Sequence, residues 1–491
     1  MTMTEAVEAI KLSDELGPVD YLLHRGEANP RTRSGIMALE LLDTTPDWEQ
    51  FRNRFESASR RVLRLRQKVV VPTLPTAAPR WVVDPDFNLD FHVRRTRVSE
   101  PGTLREVFDL AELILQSPMD ISRPLWTATL VEGLADGKAA TLLHVSHAVT
   151  DGVGGVQMFA EIYDLERNPP PKPTLPLPVP QDLSSNDLMR QGINHLPFAV
   201  VGGVVSALSG AVSAAGRPVL EPTATVSGIV GYAMSGMRVL NRAAEPSPLL
   251  RRRSLATRSE AIDIPLADLY KAAKAGGGSI NDAYLAGLCG ALRRYHEAFG
   301  VPISTLPMAV PVNLRAEADT AGGNRFTGVN LAAPIGTADP VSRMKKIRAQ
   351  MTQRRDEPAM NIIGSFAPVL SVLPTAVLEG ITGSVIGSDV QASNVPVFPG
   401  DTYIAGAKVL RQYGIGPLPG VAMMVVLISR GGWCTITVRY DRASVRNEAL
   451  FAQCLLEGFD EILALAGDPP PQAVPASFTE PAVSSRSVAG S

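Results

Sequence analysis

Three residues in the segment 141–159, TLLHVSHAVTDGVGGVQMF, have the types and spacing for proton-transfer chemistry: His147, Asp151 and Gly152. An imidazole has an ordinary pKa of about 6.5, so at neutral pH its free nitrogen takes a proton from a hydroxyl group. Asp151, if buried, needs a cationic or hydrogen-bonding partner, for which an Arg is best suited. Gly152 permits the tight turn that such a site requires. No Ser or Cys stands in a nucleophile-elbow pattern. The cysteines, Cys289, Cys434 and Cys454, are scattered, without metal spacing or pairing. With six histidines and no Cys/His cluster, no metal site is expected.

The elements around His147 follow from hydrophobic periodicity. Residues 142–147 read as a strand, broken by 149–152, with Gly154-Gly155 opening an amphipathic helix to about Glu166. Alternation places Leu143, Val145 and His147 on one face and His144 and Ser146 on the other. Arg123-Pro124-Leu125-Trp126 starts a preceding strand that runs to Val131. Asp136-Gly137 then turns it into a hairpin with 139–147, which holds the histidine on rigid backbone.

Strands and helices alternate along the rest of the chain. The expected strands are 36–42, 255–264, 308–314, 327–334, 421–429 and 434–440, with a further strand region from Ser393. The expected helices are 46–66, 101–115, 265–275, 279–297, 341–355 and 450–466. Glycines 400, 406, 414, 416 and 420 read as turn punctuation. Ser279, Asn281 and Asp282 read as a helix cap, and Gly276-Gly277-Gly278 as a helix stop rather than a phosphate loop. The run Pro169 to Pro180, PPPKPTLPLPVP, is a stiff extended linker. This predicts an α/β protein with an N-terminal half at 1–168, a linker and weakly apolar helical insert at 169–254, a C-terminal half at 255–467 and a disordered tail at 468–491.

Composition narrows the function. Of 491 residues 45% are hydrophobic and the net charge is −2, which gives nucleic-acid binding no support. The acidic, amphipathic N-terminus does not read as a secretory signal. The stretches 191–216 and 366–390 are lightly charged but carry Gly and Pro, so they read as interfacial or core helices rather than spans. Arg251-Arg252-Arg253 with Arg258 suits either phosphates or solvent.

His147-x-x-x-Asp151-Gly152 resembles the second half of the His-His-x-x-x-Asp-Gly motif of acyl-CoA-dependent acyltransferases. That group contains chloramphenicol acetyltransferase, condensation domains and bacterial wax ester synthase/diacylglycerol acyltransferases. Ser146 stands where the group's first His would be. Pro124-Leu125-Trp126, Gly277-Gly278-Ser279-Ile280-Asn281-Asp282, Pro311-Val312-Asn313-Leu314-Arg315, Gly323-Asn324-Arg325, Ser393-Asn394-Val395-Pro396 and Glu457-Gly458-Phe459-Asp460 resemble the last of these families, in its order. The resemblance implies two chloramphenicol acetyltransferase-like halves with a tunnel at their interface. It implies transfer from acyl-CoA to diacylglycerol or a long-chain alcohol, with His147 as base. Asp151, Gly152, Asn281 and Asp282 would support the motif. No cofactor or metal is implied beyond acyl-CoA as co-substrate. The expected location is cytoplasmic, peripherally on the inner membrane face or lipid droplets. The oxyanion donor is open among Ser393, Asn394 and backbone amides. Acylation of a specialised alcohol, condensation from a carrier-bound acyl group, or non-catalytic lipid or droplet binding fit the same motif.

Overall fold

Two β-sheets set the architecture. The computed structural model describes residues 13–74, 76–150, 155, 158–170, 175–195, 243–313, 326–355 and 388–477. In chain order its strands are β1 (Gly35–Leu42), β2 (Gln67–Val70), β3 (Arg80–Val83), β4 (Val93–Arg97), β5 (Trp126–Glu132), β6 (Ala139–Ser146), β7 (Thr257–Pro265), β8 (Leu306–Asn313), β9 (Phe326–Ala333), β10 (Val390–Pro396), β11 (Tyr403–Ile404), β12 (Ala407–Ile415), β13 (Met423–Arg430), β14 (Trp433–Asp441) and β15 (Val474–Pro475). One sheet has the order β11-β12-β1-β6-β5-β4, and the other β15-β7-β14-β13-β10-β8-β9. Strands β2 and β3 form a separate pair. The chain is α/β with two sheet-rich halves, as the sequence predicts.

Strand β6 lies at the centre of the first sheet and all eight of its residues are buried. It pairs antiparallel with β1 and β5. The β5–β6 hairpin turns through Asp136 and Gly137 at φ 58 and 70, left-handed values that Asp and Gly tolerate best. The helix Leu104–Gln116 covers this sheet and starts with a Thr103–Glu106 capping box. In the second half the buried helix Ile280–Ala298 packs against Glu448–Leu463. A Cβ on Gly458 would collide with the backbone nitrogen of Ala291, which accounts for glycine in that motif.

The halves are sewn together. Strand β12, from the C-terminal part of the chain, pairs with β1 of the first sheet from Met37↔Ile415 to Leu41↔Arg411. The sequence reading takes this region as turns only. Lys408, Arg411 and Gln412 dilute its apolar pattern, and Gly414 interrupts it. A Cβ at Gly414 would lie 2.8 Å from Val426 Cγ1, so the glycine lets β12 pass close to β13. Ion pairs close the seam: Arg105 with Glu260 at 3.2 Å, Arg439 with Glu112 at 3.2 Å and Arg411 with Asp263 at 2.9 Å.

Three expectations change. The helix after Gly155 ends at Ile162 rather than near Glu166. Tyr163 is extended, and the backbones of Asp164 and Tyr403 exchange hydrogen bonds of 2.8 and 2.9 Å, so a sheet edge captures the chain. The tail is not wholly disordered: β15 pairs with β7, and Ser477 Oγ donates to Glu260 Oε2 at 3.0 Å. Residues 478–491 lie outside the described residues. Of the arginine run, Arg253 pairs with Asp389 and Arg258 with Glu260, leaving Arg251 and Arg252 on the surface. No helix among the described residues is long and apolar enough to cross a membrane. Residues 196–242 and 356–387 lie outside them.

Candidate active site

His147 follows the last residue of β6, and its backbone nitrogen donates to Ser34 O at 3.2 Å. The side chain is half-buried and lines a cavity of about 300 Å³ between the two sheets. Registers explain the walls. On the first sheet Ile36 pairs with Val145 and Ala38 with Leu143, and these four side chains face the cavity. On the second, Met424, Val426 and Ile428 of β13 alternate inward, alongside Ser393 and Val395 of β10. The resulting surface is largely apolar and suits a hydrocarbon chain.

The opposite face of β6 is sealed. Ser146 Oγ donates to Glu27 Oε1 at 2.6 Å, Ser34 Oγ to the same oxygen at 2.9 Å, and Ala148 N to Ser146 Oγ at 3.2 Å. The residue at the first motif position therefore buttresses the turn from behind and is not among the cavity-lining residues. His144 is 3% exposed, pressed on Gly35, where a Cβ would stand 2.5 Å from its Nε2. Burial pushes its pKa down to about 3, helped by Arg439 and Arg33, so the ring stays neutral.

Asp151 and Gly152 lie outside the described residues. Thr150 and Gly155, on either side of them, line the cavity with His147. Asn281 and Asp282 are not among the lining residues. Asp282 Oδ2 accepts from Ser279 N and Oγ, both at 2.8 Å, completing a capping box. The capped helix reaches the site through Tyr284, whose hydroxyl donates to Val425 O at 3.1 Å and Ser393 O at 3.3 Å. Ser393 and Asn394 face the same cavity as His147, from the other sheet. Pro311 also lines it, whereas Trp126 is structural: its Nε1 donates to Leu65 O at 2.7 Å, and its ring stacks on His92 at 4.8 Å.

Sequence reasoning missed a polar cluster at the wall of this cavity, which Tyr163, Gln412 and Arg430 line. Glu40 is fully buried, and its carboxylate accepts from Tyr163 Oη and, at 2.8 Å, from Thr141 Oγ1. Arg430 Nη1 lies 3.9 Å from Glu40 Oε1 and donates to Gln412 Oε1 at 2.8 Å. Burial pushes the Glu40 carboxyl above its usual range, against the pull of Arg430, Tyr163 and Thr141. One signal was present: Arg430 continues the i, i+2 series of Met424, Val426 and Ile428. Among the described residues no group of three or more His, Cys, Asp or Glu is placed to hold a metal ion.

Known proteins resemble this chain in sequence and fold. The wax ester synthase/diacylglycerol acyltransferase catalytic domain matches residues 10–284, and the C-terminal domain of the same family matches 322–463. A Mycobacterium tuberculosis protein (strain CDC 1551 / Oshkosh), provisionally named a diacylglycerol O-acyltransferase, is 84% identical over 491 residues, the whole of both chains. A second such protein of that strain is 28% identical, over 88% of this chain and 93% of its own. The fold resembles the wax ester synthase/diacylglycerol acyltransferase of Marinobacter aquaeolei VT8, with a TM-score of 0.60 at 20% identity, covering 92% of this chain and 100% of that one. It also resembles the first condensation domain of the calcium-dependent antibiotic synthetase, with a TM-score of 0.57 at 13% identity, covering 96% and 100%. The chain belongs to the wax ester synthase/diacylglycerol acyltransferase family and is an acyltransferase.

Proposed function

We propose that this protein transfers an acyl group from acyl-CoA to the hydroxyl of diacylglycerol, a long-chain alcohol or both, with His147 as general base. The observation that carries this reading is the placing of a half-buried imidazole on the wall of an apolar cavity formed by both sheets. His147 takes the hydroxyl proton as the oxygen attacks the thioester carbonyl. The tetrahedral intermediate expels the CoA thiolate, which regains the proton from the imidazolium. The new ester and free CoA leave, so the balance needs no metal or further cofactor. Ser393 or Asn394 donates to the oxyanion from the facing sheet, where preorganised donors act most strongly. Asp151 and Gly152 hold the turn after the base. Asn281 and Asp282 act at a distance, by fixing the helix that anchors β10 and β13.

Leu165 and Phe398 support a peripheral station on a membrane or lipid droplet. Both line the cavity while 53% and 44% exposed, which gives its mouth an apolar rim. The decisive assay follows labelled acyl groups from acyl-CoA into diacylglycerol and hexadecanol, with wild type beside His147→Ala. Ester formation that depends on His147 supports the reading; equal turnover by the variant refutes the assignment of the base.

A further inference from the structure

Arg430 and Thr402 both line the cavity and are 8% and 3% exposed. Arg430 Nε and Thr402 Oγ1 find no hydrogen-bond partner among the described residues. Buried polar atoms left unpaired are uncommon in folded proteins, and two at one end of a cavity call for an explanation. Their place follows from strand register. Glu40 pairs with Thr141 on one side and Gln412 on the other, so Thr141, Glu40 and Gln412 form one row across the first sheet. Arg430 reaches this row through Gln412. His147 lies six residues beyond Thr141, which is about 20 Å along the strand direction. Between the two rows the first sheet's wall is apolar, with Ala38 and Leu143, and the facing wall sets Ser393 beside Val426 and Val395 beside Ile428. The cavity is therefore mainly apolar between two polar ends.

We infer that Arg430 and Thr402 form a second polar subsite, which binds a neutral oxygen (hydroxyl, keto or ester) borne by the lipid chain far from the carbon reacting at His147. Charge selects neutrality. Glu40 takes up donors from Tyr163 and Thr141 and faces Arg430, an arrangement that satisfies a carboxylate and balances the guanidinium. What remains on offer is an N–H and a hydroxyl, which suits an oxygen acceptor and disfavours a second carboxylate. A chain that is hydrocarbon to its tip would leave both atoms unpaired. The oxygen could belong to the acyl donor or to the acceptor alcohol, and the chemistry at Arg430 is the same for each.

This inference rests on the acyltransferase reading for the orientation of the chain, and the test separates the two. Donors are hexadecanoyl-CoA, 12-hydroxyoctadecanoyl-CoA and 16-hydroxyhexadecanoyl-CoA, with hexadecanol as acceptor. In a second arm hexadecane-1,16-diol competes with hexadecanol for plain hexadecanoyl-CoA. Wild type should prefer an oxygenated probe in one arm by about fivefold in kcat/KM, the scale of a single hydrogen bond. Thr402→Val keeps the shape, and Arg430→Lys keeps the charge opposite Glu40 while removing Nε. Each should bring the ratio of oxygenated to plain substrate close to one. Equal use of oxygenated and plain chains by wild type in both arms overturns the subsite. If no ester forms with any pair, the transfer reading has failed. Calorimetric binding of the same CoA probes, and of hexadecanol beside hexadecane-1,16-diol, then decides the subsite alone: a hydroxyl preference in either set that is erased in Thr402→Val upholds it, and equal Kd values in both sets reject it.

Discussion

His144 and His147 stand three positions apart on one run of chain and could hardly differ more. His147 faces a cavity and is half-buried, whereas His144 is sealed against Gly35 with its pKa driven down to about 3. The backbone supplies the difference: an odd spacing on a strand sends two side chains to opposite faces. What makes a histidine useful for chemistry is thus the surface it meets, not its nearness to a motif. A base must touch both solvent-derived substrate and a fixed frame, and only one face of β6 offers both.

The strongest way to break this contrast is to exchange the fates of the two rings. His147→Ala should lower acyl transfer about 10³-fold with an unchanged circular dichroism spectrum. His144→Gln should retain turnover within a few-fold, and a loss matching that of His147→Ala would mean that the faces have been assigned wrongly. The next largest effect is on acid stability. His144 has a folded pKa of about 3, below its unfolded value of about 6.5. Its stabilisation is complete above pH 6.5 and is lost as the pH falls toward 3. At pH 4 the loss from this ring is on the order of 3 kcal/mol. Denaturant midpoints at pH 7 and pH 4 should converge more in His144→Gln than in wild type. His24 and His92, each held near 4 by burial, leave a residual slope in both.

Smaller changes sharpen the comparison. Asn394→Ala and Ser393→Ala probe the wall opposite the ring. A loss of about 10²-fold in kcat with KM little altered, read by steady-state kinetics, would mark either side chain as the oxyanion donor, and no loss in both would leave that role to a backbone amide. Ser146→Ala removes a hydroxyl from Glu27 and from Ala148 N. It should cost about 1 to 3 kcal/mol in chemical denaturation and slow turnover only modestly, because it acts behind the turn.

Much of this division was readable from residue order. Period-two alternation through 142–147 assigns the faces of His144, Ser146 and His147, and Asp136-Gly137 marks the hairpin that stiffens them. The two α/β halves follow from alternating strands and helices. Other features were hidden for physical reasons. β12 mixes Lys408, Arg411 and Gln412 with its apolar residues, since it is covered partly by ion pairs rather than by a uniform core. The polar end of the cavity joins Glu40, Thr141, Tyr163, Gln412 and Arg430, residues that local periodicity cannot connect because only sheet pairing brings them together. The early end of the helix at Ile162 depends on the backbone of Tyr403, some 240 residues downstream.

The loan of β12 to the first sheet bears on how the chain must be made. Until the ribosome has delivered residues 407–415, β1 presents a bare row of amide and carbonyl groups along one edge, a template for unwanted pairing between nascent molecules. The amino-terminal portion is thus expected not to mature alone, and its cavity wall is finished late, after most of the polypeptide exists. Splitting the gene within the proline-rich connector should therefore yield two pieces that aggregate singly and regain order only when made together.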